Sequence, residues 1–249
     1  MEITSVNNET VKKYAKLHQK KYRLESEKFI IEGFKTIKEA FESGIYIEQV
    51  FIQKEHLSDY AFINQDTIIE TNEMVIKKLS STESAPPAVA IAKQKKWDIE
   101  EFKSMNNVIL LEGIKDSGNL GTIIRSAAAF GCEGIVLFGD CTDIYNPKCV
   151  RSTVGNLWKT PIIHINDTNI LKNVFTNFSK IATLPRSKNL LKKYESTTPQ
   201  LIMFGSEAEG LSEELINIST DSIKIEMKTN VESLNLASSA AVVMYELFT

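Results

Sequence analysis

A chain of 249 residues is long enough for one large domain or two small ones. With 43% apolar and 24% charged residues it has the composition of an ordinary folded protein, and its formal net charge of −3 excludes blanket affinity for polyanions without excluding a local basic stripe. No apolar run reaches the roughly 20 residues of a membrane span, and the opening MEITSVNNETVKKYAKLHQKKYR has no signal-peptide core, so a cytoplasmic protein with no membrane partner is expected.

Residues 9–25 (ETVKKYAKLHQKKYRLE) have helical character, with Val11, Tyr14, Ala15 and Leu17 on related turns. The same region is basic. Lys12, Lys13, Lys16, Lys20, Lys21, Arg23 and Lys28 are opposed only by Glu25 and Glu27, a run that taken alone reads as a solvated helix face. KFIIEG is a short strand ending in glycine, and FKTIKEAFESG is an amphipathic helix stopped by Gly44. IEQVFIQK is a strand, NEMVIKKLSS a helix, and AVAIAKQK a last strand after Pro86 and Pro87. The alternation predicts a compact α/β/α unit over residues 1–95. Residues 96–106 are polar and charged around Trp97 and read as a linker.

From residue 107 to 249 the pattern becomes cleaner. VILLEG is a buried strand, LGTIIRSAAAFG a helix and GIVLFG a strand. NPKCVRSTVGNLWKT is a helix with proline near its start, where proline is tolerated. PIIHI, SKIATL and LIMFGSE are strands, with the helical NILKNVFTNF between the first two. SEELINI is a short helix, SIKIEM a strand and ASSAAVVMYELF the closing helix. Strands alternating with helices make a parallel sheet covered on both faces. The three cysteines, Cys132, Cys141 and Cys149, include no C-x-x-C pair, and His18, His56 and His164 are scattered. Neither disulfides nor a metal site is expected, and the thiols read as buried or half-buried in a reducing compartment.

Ligands of open parallel sheets collect at the carboxyl ends of strands, and three loops there carry unusual residues. In DSGNLGTIIRSAAAFG, Gly118 and Gly121 allow close backbone approach, Asn119 is a natural helix N-cap, and Arg125 lies about one turn beyond Gly121. In FGSEAEGLSEEL, Gly205 and Gly210 bracket Glu207 and Glu209, acids that suit the following helix N-terminus or a charge-assisted bond. In IEMKTNVESLNLASSAAVVMYELF, the charge-poor final helix requires burial, and Ser233 and Asn235 flank Leu234 at its start. The spacing G-x-G-x-x-G of a dinucleotide-binding loop is absent.

Asn119-x-Gly121-x-x-x-Arg125, Gly205-x-Glu207-x-x-Gly210-Leu211, and Ile225-x-Met227 leading to Ser233-Leu234-Asn235 occur in that order. Together they resemble the three motifs of the SpoU/TrmH family of RNA ribose 2′-O-methyltransferases, within the SPOUT superfamily. KKYRLESEKFIIEGFKTIKEA is similar to the family's RNA-binding domain, with Glu32 and Gly33 in the matching stretch. The family commonly has proline where this chain has Glu226. The resemblance implies a deep trefoil knot in the second domain, a homodimer formed through knot elements, and S-adenosylmethionine as methyl donor with no metal. It implies cofactor contacts near Gly205, Ile225 and Leu234. Arg125 is implied to contact the target phosphate and 2′-hydroxyl in a polar site of Asn119, Glu207, Ser233 and Asn235, with Glu207 orienting either Arg125 or Asn119. Lys12, Lys13, Lys20, Lys21 and Arg23 are then expected to grip RNA phosphates. Large-subunit ribosomal RNA is the expected substrate, transfer RNA the alternative, and a non-catalytic RNA-binding protein the rival reading.

Overall fold

In a computed structural model, residues 1–228 and 233–249 are described, and the chain divides into two compact units. One contains Met1–Lys95 with Asp143–Trp158, the other Lys96–Thr142 with Lys159–Thr249. The chain crosses between these compact units three times, because residues 143–158 group with the first unit.

The first unit begins with β1 (Glu2–Ile3), α1 (Glu9–Ala15), α2 (Lys20–Ser26), β2 (Lys28–Glu32), α3 (Phe34–Glu42), β3 (Ile47–Gln53), β4 (Ile68–Thr71), α4 (Glu73–Leu79) and β5 (Ala88–Lys93). Its sheet has the order β1-β4-β3-β5-β2. β5 runs antiparallel to both of its neighbours, and the remaining pairs are parallel. Val11, Tyr14 and Leu17 pack with Phe51, Val75 and Leu79 into one apolar core.

Residues 9–25 do not form one helix. The chain tightens into a 3-10 turn at Lys16–His18, and Gln19 is extended before α2 begins. Arg23 fits this break. Its Nη1 donates to the carbonyls of Leu17 at 2.8 Å and His18 at 3.0 Å, which interrupted helix geometry leaves without intrahelical partners. Its Nε and Nη2 each lie 2.7 Å from Oδ2 of Asp143. Arg23 is only 2% exposed, so it is removed from the expected phosphate grip: its guanidinium is consumed inside the unit. Lys12, Lys13, Lys20 and Lys21 are exposed, with Glu9 and Glu25 beside two of them.

The segment 143–158 holds a helix shorter than expected, Pro147–Ser152, capped by Asn146. Val154 at φ 50 and Gly155 at φ 83 turn the chain out of it. Its Arg151 joins Ser80 and Ser81 around the buried carboxylate of Glu32. Glu32 therefore shapes the first unit.

The second unit opens with a 3-10 turn, Ile99–Ser104, whose Phe102 is fully buried, so the expected linker is partly core. Then follow β6 (Asn107–Glu112), α5 (Ser117–Ala129) and β7 (Gly134–Phe138). After the helix already described, α6 (Pro147–Ser152), come β8 (Ile162–Ile165), α7 (Thr168–Val174), β9 (Ser179–Thr183), β10 (Gln200–Phe204), α8 (Glu213–Ile218), β11 (Asp221–Ile223) and α9 (Leu236–Phe248). All pairs in the sheet β11-β9-β10-β6-β7-β8 are parallel, as expected for this α/β class. β11 stops four residues short of the sequence expectation, at Ile223. The strands β6, β7 and β10 are apolar and almost wholly buried because helices cover both faces.

Strand order decides where a ligand can sit. The chain leaves β6 toward β7 and β8, then returns on the other side through β9, β10 and β11. The order thus reverses between β6 and β10, which makes the crevice at their carboxyl ends the binding position of such a sheet. Cys132, Cys141 and Cys149 are buried, and burial pushes the Cys132 thiol up to about 12, which keeps it protonated and inert. Among the described residues, no helix is long and apolar enough to cross a membrane.

Arg23→Ala is expected to destabilise the first unit by about 3–5 kcal/mol, because it strands Asp143 and two carbonyls. Urea titration monitored by circular dichroism measures this. A midpoint equal to that of the native chain contradicts the structural role.

Candidate active site

Three loops of the second unit meet at the β6–β10 crevice. The first starts where β6 ends. Asp116, not Asn119, is the N-cap of α5, accepting from the Asn119 backbone N–H at 2.7 Å. The expectation that Asn119 caps the helix is corrected, and the reason is register: Asp116 stands three residues earlier, where a side-chain oxygen meets that N–H. The Asn119 side chain is thereby left for other partners.

The second loop follows β10. A Cβ at Gly205 would lie 1.9 Å from the Gly210 carbonyl carbon and 2.1 Å from the Leu211 nitrogen, so only glycine fits there. Ser206 and Gly210 close the loop by exchanging backbone hydrogen bonds of 3.2 and 3.0 Å. Gly210 has φ +71, a left-handed conformation that glycine adopts without strain. Glu207 stands exposed at the tip of this hairpin. The third loop enters α9, whose N-cap is Asn235: its Oδ1 accepts from the N–H groups of Ala237 at 2.9 Å and Ser238 at 3.2 Å.

One chain of hydrogen bonds ties the three together. Asn235 Nδ2 donates to Asn119 Oδ1 at 3.0 Å, and Asn119 Nδ2 donates to Glu207 Oε1 at 2.7 Å. Its direction is forced at both ends. A carboxylate only accepts, so Asn119 must turn its NH₂ toward Glu207 and its oxygen toward Asn235. Helix N–H groups only donate, so Asn235 must turn its oxygen toward α9 and its NH₂ toward Asn119. Of the two partners expected for Glu207, the structure selects Asn119.

Arg125 is exposed on α5 and has no hydrogen-bond or ion-pair partner among the described residues. It follows Gly121 by four positions and Gly118 by seven, so these residues share a helix face. Long helical side chains lean toward the N-terminus, the direction in which Gly121 and Gly118 lie.

Beside the chain of amides lies a pocket of about 840 Å³. Gly205, Glu207, Ile225, Ser233, Leu234 and Asn235, all expected site residues, line it. Asn119 and Arg125 do not. Apolar walls come from Leu211, Ile223, Ile225 and Met227. Ile225 and Met227 line the pocket whereas Glu226 between them is exposed and does not. The residue that departs from the common motif thus points away from the cavity.

Sequence reasoning missed part of the wall. Thr183, Leu184, Pro185 and Arg186, at the end of β9, also line the pocket. Parallel pairing of β9 with β10 brings them there. The available signal was the basic run following SKIATL, but nothing in the sequence says that β9 neighbours β10.

The model of the SpoU rRNA methylase family matches residues 106–245. The chain belongs to the SpoU rRNA methylase family. A second model, the MRM3-like substrate binding domain, matches residues 8–90 of this methylase. An uncharacterized tRNA/rRNA methyltransferase of Synechocystis is 31% identical, covering 98% of this chain and 92% of the relative. The 23S rRNA (guanosine(2553)-2′-O)-methyltransferase RlmP of Bacillus subtilis is 25% identical, covering 99% and 98%. Among solved structures, the AdoMet-bound rRNA methyltransferase of Sinorhizobium meliloti superposes with a TM-score of 0.90 at 28% identity, covering 99% of this chain and 96% of that one.

Gly205→Ala is expected to lower stability by at least the roughly 1–3 kcal/mol of an overpacked site, since backbone and not a flexible side chain opposes the new methyl. A thermal midpoint that stays at the native value argues against the closed loop.

Proposed function

We propose that this SpoU methylase transfers a methyl group from S-adenosylmethionine to a ribose 2′-hydroxyl of RNA, with large-subunit ribosomal RNA as substrate. The observation that carries the reading is the directed chain Asn235–Asn119–Glu207 at the rim of a large pocket, with Arg125, which has no partner among the described residues, on the helix that bears Asn119. Support for the RNA class comes from the substrate-binding family match and from the substrate named for the Bacillus subtilis relative.

The pocket suits the cofactor. Its size lies within the range of small-molecule sites, about 300–1,000 Å³. Leu211, Ile223, Ile225 and Leu234 offer apolar walls to an adenine, and the carboxylates of Glu207, Glu209 and Glu213 suit a ligand carrying cationic groups. Backbone near Gly205, Ile225 and Leu234 holds the adenosine part. When bound, S-adenosylmethionine supplies a methyl group already activated on a sulfonium.

The protein then has to align the hydroxyl and manage charge. Arg125 grips the target phosphate and steers the 2′-oxygen toward the pocket with its fork of five donors. A guanidinium stays protonated, so Arg125 acts by positioning and by stabilising negative charge, not as a free base. Glu207 fixes Asn119, Asn119 fixes Asn235, and Ser233 completes the polar rim. In the first unit, exposed Lys12, Lys13, Lys20 and Lys21 supply phosphate contacts on the substrate-binding side of the function.

The same reading includes a trefoil knot, a cytoplasmic site of action and a homodimer. Support for the dimer is the outer face of α9, where Val242 is 44% and Tyr245 60% exposed although the helix carries only one charge. Light scattering tests it: Val242→Glu is expected to shift a dimer to monomer, and a monomeric native chain refutes the assignment.

Transfer of labelled methyl to unmodified 23S rRNA and tRNA tests the reaction. Arg125→Ala is expected to lower turnover about 10²–10³-fold, the usual cost of removing one transition-state donor. Arg125→Lys is expected not to recover it, because a point charge lacks the fork. Near-native turnover in the lysine variant removes Arg125 from this role. Label on tRNA alone moves the substrate assignment.

A further inference from the structure

We propose that the loop joining β9 to β10 is an RNA-phosphate contact surface of the second unit, holding the strand that flanks the target nucleotide. The inference rests on the reading of RNA as substrate and adds a surface that the motif residues do not contain.

Residues 186–193, RSKNLLKK, carry Arg186, Lys188, Lys192 and Lys193 and no acid; the next carboxylate along the chain is Glu195. All four cations are exposed. Among the described residues, no carboxylate pairs with Lys188, Lys192 or Lys193, and Arg186 meets only the exposed Glu213, at 3.5 Å. An exposed pair of that length contributes little and yields readily to a phosphate. Lysines that serve only solubility are ordinarily interspersed with acids, since clustered like charges repel. Here four of one sign lie together in a chain whose net charge is −3.

The loop is also held in place. Ser187 Oγ donates to the Ser222 carbonyl at 2.9 Å, and Asn189 Nδ2 donates to Asp221 Oδ1 at 2.8 Å. The Leu191 N–H donates to the Lys224 carbonyl at 2.9 Å, and the Lys224 N–H to the Asn189 carbonyl at 3.0 Å. Ser187 and Leu191 are buried. The inward residues thus fasten the loop to β11 and its continuation, while the lysines between and after them face solvent. Ordering entropy of the backbone is spent on folding, not on binding.

Position supplies the last step. Arg186 lines the pocket, but Lys188, Lys192 and Lys193 do not. A ligand confined to the pocket cannot use the three lysines. A polyanion with one unit at the mouth and neighbouring phosphates along the loop can use all four. Residues 186–193 contain no aromatic and offer no stacking platform, so the contact is to backbone phosphate and carries no base preference.

The test is the full-length chain carrying Lys188→Gln, Lys192→Gln and Lys193→Gln, with Lys172→Gln on α7 as control. RNA affinity is measured against salt by fluorescence anisotropy, S-adenosylmethionine affinity by calorimetry, and KM and kcat by label transfer. Each phosphate contact contributes about 0.7 to 0.9 to the salt slope. The triple variant is expected to lower the slope by about 2 to 3 and raise KM for RNA, with kcat, cofactor affinity and thermal midpoint unchanged. The control is expected to change none of these. An unchanged slope, with native RNA binding intact, overturns the surface alone. A native chain that binds no RNA overturns the substrate reading together with it. Loss of cofactor affinity with the slope retained assigns the loop to the pocket and overturns the proposal.

Discussion

The site depends on β6 lying beside β10. Five consecutive residues pair in parallel register, Asn107 with Gln200 through Leu111 with Phe204, and every side chain from Val108 to Leu111 is buried. Both strands are apolar runs that could be shuffled within a core without great loss of hydrophobic burial. Their adjacency and equal register have a different consequence: both end at the same level. The turn after β6 then meets the hairpin after β10, and at Gly113 a Cβ would lie only 3.7 Å from that of Ser206. Two loops 88 residues apart in sequence, those of Asn119 and Glu207, come within a hydrogen bond because of this pairing.

What the pairing brings together, hydrogen-bond polarity then orders. Bonds between Asn235, Asn119 and Glu207 lie near solvent, where each contributes about 0.5–1.5 kcal/mol net. Their value is directional. A carboxylate at one end and a helix N-terminus at the other leave each amide one permitted orientation. The contrast between the two arginines makes a related point. Arg23 has its donors taken up by Asp143 and two carbonyls, whereas Arg125 meets no partner among the described residues. The same side chain closes a structure where acceptors surround it and stands exposed where, among the described residues, none meets it.

Much of this was legible. Period-2 and period-3.6 patterns marked most elements, the order of motifs marked the site, and the small-residue closing helix was recognised as apolar. Long-range geometry was not. Nothing in SGNLGTIIR says that Asp116 will take the capping role and free Asn119, because both residues cap helices equally well in isolation. A basic run reads as uniform until one member turns inward, and Arg23 turns inward only because Asp143, 120 residues away, meets it. Strand order is likewise invisible to local pattern, so the end of β9 was not recognised as pocket wall. Residues 143–158 show the same limit: local pattern marks their helix, but which core receives them depends on Glu32, Ser80 and Ser81.

The net charge of −3 illustrates how a global quantity misleads about a local surface. At physiological ionic strength a charge is felt over about 8 Å, the Debye length. A phosphate arriving near Lys188 or Lys192 therefore responds to the cations within that radius, and the 32 acidic residues of the chain matter only where they lie inside it. An acidic remainder even has a use. It keeps long-range attraction weak, so that polyanions are retained only where several cations stand close together on a fixed backbone. The lysines beside Ser187, Asn189 and Leu191 meet that condition, since their loop is fastened to β11 by hydrogen bonds that do not involve the charged groups themselves.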